Sequence, residues 1–89
     1  MKLRQTDKAR EDLRALRAYF DEHNPAAGRA IAARIKHKLT LLRKNPEMGR
    51  PVEGRPGVRE LVVDNYVLPY MLEGGAIVVL RVWHGAQDR

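Results

Sequence analysis

Three consecutive β-rich runs near the C-terminal end constrain the fold more than any other part of the chain. They span Val58 to Asp64, Tyr66 to Glu73 and Ala76 to His84. The residues between them, Asp64-Asn65 and Gly74-Gly75, are typical of two-residue hairpin turns. The sequence therefore predicts a three-stranded antiparallel meander.

The last of these runs is apolar on both faces, since successive side chains of a strand point to opposite sides. One alternating set is wholly aliphatic: Val78, Leu80 and Val82. The other set adds a cation and an indole ring: Ile77, Val79, Arg81 and Trp83. Such a strand needs cover on both sides, and the rest of the chain can supply one helical layer. We therefore expect the second set, with His84 near its end, to face a partner or to hold a site.

Two amphipathic helices are predicted before the meander. In the first, apolar residues recur at helical spacing from Ala9 to Phe20, after a cap at Thr6 or Asp7. Asn24-Pro25 combines a favoured N-cap residue with the residue best suited to the first helical position, so a second helix follows at once. It ends at Asn45-Pro46. Each helix has one apolar stripe, which predicts an antiparallel hairpin on one face of the sheet.

A short edge strand within residues 1–6 completes the order β-α-α-β-β-β. The predicted fold is α+β, with a helical hairpin packed on one face of a small, mainly antiparallel sheet, and residues 1–89 are expected to form one domain. Residues 46–57 are rich in Pro and Gly and are predicted to be a loop. Pro69 cannot donate a ladder hydrogen bond, so we expect a bulge beside it or a partner strand too short to reach it.

The composition excludes several kinds of site. The chain contains neither Cys nor Ser, which removes disulfides, thiolate chemistry and the usual nucleophilic triads. No cluster has the spacing of metal ligands and no cofactor motif is present, so we expect neither a metal nor a cofactor. No apolar run approaches the roughly 20 residues that span a bilayer, and the N-terminus is too polar for a signal peptide. We therefore expect a cytoplasmic protein without membrane association.

The formal net charge of +6 favours acidic partners, whether nucleic acid or an acidic protein segment. One enzymatic activity also remains open, which is metal-free cleavage of RNA. It requires groups that remove and donate protons and cations that stabilise the phosphate. The candidate catalytic residues are Arg59, Arg81 and His84, with Glu47 or Glu60 as a weaker candidate. This set is incomplete, and each Arg can equally serve the structure by pairing with a carboxylate.

Six segments spread over nearly the whole chain occur in a characteristic order. They are Glu11-Asp12-Leu13 leading to Tyr19, Asn24-Pro25-Ala26-Ala27, Asn45-Pro46-Glu47-Met48-Gly49-Arg50-Pro51, Gly57-Val58-Arg59-Glu60-Leu61, Tyr66 with Tyr70, and Leu80-Arg81-Val82-Trp83-His84-Gly85-Ala86. Together with the β-α-α-β-β-β order they resemble the ParE/RelE superfamily of toxins from bacterial type II toxin-antitoxin, or plasmid stabilisation, systems.

The resemblance implies a small toxin that a cognate antitoxin neutralises in a hetero-oligomer, by wrapping a flexible segment around it and often by adding to its sheet. The expected antitoxin-binding residues are those of the second set: Ile77, Val79, Arg81 and Trp83. The residues expected to meet the cellular target are Arg50, Arg59, Tyr66 and His84.

Two kinds of target are known in this superfamily. The ParE branch inhibits DNA gyrase, whereas the RelE branch cleaves mRNA on the ribosome. The strand entry and the ending of this chain are more similar to the ParE branch. The chain also lacks a Tyr after His84 and a Lys after Lys44, where RelE-like ribonucleases tend to carry functional residues. We therefore expect a gyrase inhibitor that performs no chemistry, with an mRNA interferase as the alternative and a nucleic-acid-binding module as a third possibility.

Overall fold

The computed structural model describes residues 1–85 of the chain, which form two layers. One layer is a helical hairpin of α1 (Asp7–His23) and α2 (Pro25–Lys44), and the other is a six-stranded sheet. The strands are β1 (Lys2–Gln5), β2 (Arg50–Pro51), β3 (Val58–Val63), β4 (Tyr66–Glu73), β5 (Ala76–Val79) and β6 (Trp83–His84). The predicted α+β order is confirmed, with β2 and β6 as two-residue additions.

The strands lie in the order β1-β5-β4-β3-β2, and β6 also pairs with β4. β3, β4 and β5 form the predicted antiparallel meander, and β1 adds a parallel strand beside β5. Within the described residues, β1 pairs on one side only. It is therefore the edge strand that the sequence predicted.

Side-chain caps set the two helix starts. Thr6 Oγ1 accepts a hydrogen bond from the Ala9 N–H at 3.0 Å, and Asn24 Oδ1 accepts one from the Ala27 N–H at 3.2 Å. Pro25 occupies the first turn of α2, where its missing N–H leaves no helical bond unmade. Asn24 ends α1 and caps α2, so the hairpin has no separate linker.

Both hairpin turns have the expected geometry. Val63 pairs with Tyr66 across the first turn, where Asp64 has a φ of 54°. At the second turn Gly74 and Gly75 have φ values of 57° and 76°, the left-handed values that a type I′ turn requires at both central positions. These turns fix the register of the meander.

The core lies between the hairpin and one face of the sheet. The strand residues that point into it are Leu61, Val63, Tyr66, Leu68, Tyr70, Ile77 and Val79. Ile77 and Val79 are 0% and 1% exposed and belong to the same cluster as Ile35 and Leu42 of α2. The prediction that Ile77 and Val79 lie on a face available to a partner is wrong. Their register against β4 turns them toward the helices, and alternation alone cannot say which of two apolar faces the helices cover.

A β-bulge separates β5 from β6. Val79 pairs with Tyr70, and Trp83, four residues later, pairs with Val67, which is only three residues from Tyr70 along β4. This part of the chain therefore contains one residue more than the stretch of β4 that it pairs with. The extra residue lies opposite Pro69. Of the two outcomes expected beside Pro69, a bulge or a partner strand too short to reach it, the structure has the bulge.

The position of Pro69 explains where the bulge occurs. The Leu80 N–H donates to the Pro69 carbonyl oxygen at 2.8 Å. The N and O atoms of a residue in an antiparallel strand point to the same side, so the missing N–H of Pro69 faces the bulge. The bulge also changes the alternation: Val82 belongs to the core cluster, and Trp83 lies on the outer face of the sheet.

Candidate functional site

Arg81, one of the expected interface residues, is bound to α1. Its guanidinium makes a bidentate ion pair with the Asp12 carboxylate, with Nε to Oδ2 at 2.9 Å and Nη2 to Oδ1 at 3.2 Å. The Val82 N–H donates to the same Oδ2 at 2.9 Å. Burial by itself would raise the pKa of Asp12, but the hydrogen bonds from Arg81 and Val82 outweigh it and lower that pKa. Asp12 therefore fastens the segment before β6 to the helix.

Trp83 packs against the same cation. The Arg81 guanidinium carbon lies 5.1 Å from the centre of the Trp83 ring, within the range of a cation–π contact. The four residues expected to bind an antitoxin are thus divided between two places. Ile77 and Val79 are in the core, and Arg81 and Trp83 form a half-buried pair at the edge of the sheet.

Arg59 holds the loop that precedes β2. Its Nη1 donates to the carbonyl oxygens of Glu47 at 3.1 Å and Gly49 at 2.8 Å. In the same place the Tyr70 hydroxyl accepts a hydrogen bond from the Gly49 N–H at 2.9 Å and donates one to the Pro46 carbonyl at 2.7 Å. Burial raises the pKa of this hydroxyl. These contacts give Arg59 a structural role.

The other three residues expected at a target surface lie close to one another. Arg50 and His84 are among the residues that line a depression of about 600 Å³, which opens on the outer side of the sheet at Val62 and Val67. Val62 also lines it and is 44% exposed. His84 is the cross-strand partner of Tyr66, so its ring lies with that of Tyr66 on the helical side of the sheet, with the ring centres 5.3 Å apart and the planes nearly perpendicular. Arg50 is also paired with Glu60 at 2.8 Å.

The candidate ribonuclease residues do not converge. Arg59 pairs with Tyr70 on β4, whereas the strand containing His84 pairs with Tyr66, four residues away along β4. At the usual rise of a strand this separation is about 13 Å along the sheet. Arg81 is held separately by Asp12. The residues after Gly85, where the sequence lacks an expected Tyr, lie outside the described part of the chain.

A groove of about 850 Å³ lies between α1, α2 and β1. The apolar residues that line it are Leu3, Leu13, Leu16, Phe20, Ala32, Ile35 and Leu39. Among its charged lining residues there are four cations and one carboxylate: Arg17, Asp21, Arg29, Lys36 and Arg43. The sheet therefore covers only part of the apolar stripes of the two helices. An uncovered apolar surface of this kind is characteristic of an interaction site.

Sequence reasoning missed this groove because it assigned both apolar stripes to the contact with the sheet. One signal was present. The strand that lies beside the groove, β1, has a single large apolar residue, Leu3, whereas each helix presents an apolar stripe several turns long. The edge strand thus has too few apolar residues to cover both stripes.

Residues 1–85 contain no group of three or more metal-ligating side chains that could hold an ion. No helix within the same residues has the length and apolarity of a membrane span. The groove and the depression are the two concave surfaces that we consider as candidate sites.

Sequence comparison places the chain among bacterial toxins. Residues 3–89 match the family described as the ParE toxin of type II toxin-antitoxin system, parDE. The toxin RelE2 of Caulobacter vibrioides is 35% identical over 83 residues, which are 92% of each chain. The toxin RelE1 of the same organism is 30% identical over 86 residues, 92% of this chain and 90% of the relative.

Structural comparison agrees. A chain of the chromosomal ParDE system of P. aeruginosa superposes with a TM-score of 0.79 at 29% identity, covering 94% of this chain and 95% of the other. A chain of the RelBE2 toxin-antitoxin complex of Mycobacterium tuberculosis gives a TM-score of 0.64 at 26% identity, covering 93% and 95%. The family match and the shared fold lead to one conclusion: this chain belongs to the ParE toxin family of type II toxin-antitoxin systems.

Proposed function

We propose that this toxin inhibits DNA gyrase in the cytoplasm by binding to it, without catalysing a reaction itself. The observation that carries the proposal is the dispersal of the three residues that RNA cleavage would use. The Arg81 guanidinium is bound by Asp12 and that of Arg59 by loop carbonyls. Either cation would have to give up bonds that hold the fold before it could bind a phosphate.

A toxin that acts by binding needs an exposed surface with an apolar anchor and polar surroundings. The depression offers this combination, because Val62 is exposed there and Arg50 and His84 also line it. We assign target binding to this surface. The His84 ring packs against Tyr66 at the end of β6 next to the depression, whereas Arg59 lies away from it.

Ribosome-dependent cleavage of mRNA is the second candidate function. The similarity to two toxins named RelE supports it. Arg50, an exposed cation, and His84 both line the depression, which also supports it. In that case His84 would transfer the proton, and Arg59 and Arg81 would have to leave their present partners.

We expect the purified protein to inhibit gyrase supercoiling, and Val62→Arg to weaken that inhibition by about tenfold or more, since a charge placed at an apolar anchor opposes its burial. Leu72→Arg is the matched control, because Leu72 is similarly exposed, at 40%, on the same sheet but away from the depression. Supercoiling assays and cleavage-complex trapping measure the effect. Growth arrest without gyrase inhibition, together with cuts in ribosome-bound mRNA by primer extension, would move the function to the RelE-like alternative.

We further propose that the antitoxin binds the groove. The groove combines uncovered apolar side chains with an excess of cations at its margin, and this combination fits an acidic, amphipathic helix. The face first expected from the sequence is less suitable, since two of its residues are buried and its cation is already paired. The groove lies on the helical side of the sheet, and the depression lies on the outer side.

Ala32→Arg tests this assignment. Ala32 is exposed and lines the groove, so the substitution introduces a bulky charge there without disturbing the core. We expect antitoxin affinity to fall by about tenfold or more. Ala33→Arg is the control, because Ala33 is also exposed on the same helix but does not line the groove. Calorimetry with the purified antitoxin measures both, and equal affinities for the two variants would exclude the groove as the docking site.

A further inference from the structure

We propose that the groove selects its partner by charge spacing: it accepts an amphipathic helix that carries acidic side chains seven residues apart beside its apolar stripe. The inference rests on the proposal that an antitoxin segment binds the groove, and it specifies what that segment must look like. The residues that select it are three cations of α2: Arg29, Lys36 and Arg43.

These three cations form a straight row. They are spaced by seven residues, and all three line the groove. In an α-helix a seven-residue step returns to nearly the same side, with a drift of about 20°, so the row runs along one side of α2 for about 21 Å. An incoming helix laid along α2 would meet one cation every two turns.

The positions of the cations relative to the apolar residues are those of a coiled coil. Ala32, Ile35 and Leu39 line the groove at the alternating three- and four-residue spacing of a and d positions. Lys36 directly follows Ile35 and therefore occupies an e position, as do Arg29 and Arg43 at seven residues to either side. Charges at e positions flank the apolar contact between helices, and they determine which partner and which register is accepted.

On α1, Leu13, Leu16 and Phe20 repeat the same spacing on the other wall of the groove. These three residues and Leu39 of α2 are among the groove residues that remain only partly buried. The hairpin therefore presents two of the three helices of a small bundle. A third amphipathic helix placed between them would complete the cover of the apolar stripes.

The cations are available to a partner. Within residues 1–85, none of the three forms an ion pair, whereas Arg17 of the groove margin is paired with Asp21. The Arg43 Nε donates to the Met1 carbonyl oxygen at 3.0 Å, which leaves its positive charge uncompensated. An acidic helix would supply the missing carboxylates, and a helix with basic residues at the same spacing would be repelled.

Two synthetic helical peptides of about 21 residues, long enough to span the row, test the spacing. Both have Leu at the a and d positions and the same composition. One carries three Glu residues seven apart beside the Leu stripe, and the other carries them in the middle of the opposite face. We expect the first peptide to bind the full-length toxin about tenfold more tightly at low salt, and the difference to shrink at about 1 M salt, where charges are screened within about 3 Å.

Charge reversal in the toxin supplies the second arm. The triple variant Arg29→Glu, Lys36→Glu, Arg43→Glu should lose the preference for the first peptide, and Lys36→Glu alone should reduce it if the triple variant does not fold. A control with the same change in net charge is Lys38→Glu, Lys44→Glu, Arg55→Glu, whose sites do not line the groove. The control should keep the preference.

Equal binding of the two peptides by the wild-type toxin would overturn the proposal. A second result would also overturn it: the wild-type toxin binds duplex DNA, the triple variant does not, and the two peptides bind equally well. The row of cations would then recognise nucleic acid. Gyrase inhibition by the same preparations is measured in parallel. If gyrase is inhibited but the toxin binds both peptides equally, charge selection fails and the proposed target stands. If the toxin prefers the first peptide but gyrase is unaffected, charge selection stands and the proposed target fails.

Discussion

Gly49→Ala is expected to lower the free energy of unfolding by about 2–4 kcal/mol, a large part of the roughly 4–13 kcal/mol typical of a domain of this size. A Cβ at this position would lie 2.6 Å from the Tyr70 ring and hydroxyl and 2.8 Å from the Glu60 carbonyl oxygen. Neither neighbour can move freely, because Tyr70 is fully buried and Glu60 lies in β3. The Gly49 N–H would also lose its buried hydrogen bond to Tyr70.

Urea unfolding measures this change. Gly54→Ala is the control, because a Cβ there meets nothing within 4 Å, and its only penalty is the positive φ of 77°, about 1 kcal/mol. A loss at Gly49 no greater than that at Gly54 would mean that the contact between the loop and Tyr70 contributes little to stability. Arg59 holds the same loop through its bonds to the Glu47 and Gly49 carbonyl oxygens.

Asp12→Ala is expected to destabilise the fold by about 2–4 kcal/mol at neutral pH. The Asp12 carboxylate accepts hydrogen bonds from both Arg81 and Val82, and its side chain is only 18% exposed. Its removal leaves the Val82 N–H without an acceptor at the bulge. Thermal unfolding measures the effect, and Asp21→Ala, whose carboxylate is exposed and lies 3.9 Å from Arg17, should change stability by less than about 0.5 kcal/mol.

The same ion pair predicts a dependence on pH. Because the pKa of Asp12 is lowered in the folded protein, its stabilisation is fully present above the ordinary value of 3.8 and is lost as the pH falls through the lower, folded value. The stability difference between wild type and Asp12→Ala should therefore be constant near neutral pH and decrease below about pH 4. A difference that stays constant down to pH 2 would show that Asp12 acts through packing instead of charge.

Local features of the sequence were sufficient to predict the elements. Thr6 and Asn24-Pro25 start helices through bonds to residues three positions away, and Gly74-Gly75 makes a turn through its own backbone. The bulge was also predictable from one residue, since Pro69 lacks an N–H wherever it is placed. The family resemblance followed from the order of such segments and predicted the fold.

The functional surfaces depended on contacts between residues distant in sequence. Nothing near Asp12 in the chain indicates that it will bind Arg81, 69 residues away. The alternation of β5 fits either orientation, and only its pairing with β4 and the packing of α2 bury Ile77 and Val79.

The sequence alone thus determined the helices, the turns, the order of elements shared with ParE toxins and the excess of positive charge. The tertiary structure decided which apolar face is core, which cations are already paired, and where an apolar groove stays open beside Arg29, Lys36 and Arg43. The physical reason is that caps and turns form within a few residues, whereas burial and ion pairing depend on which distant segments meet.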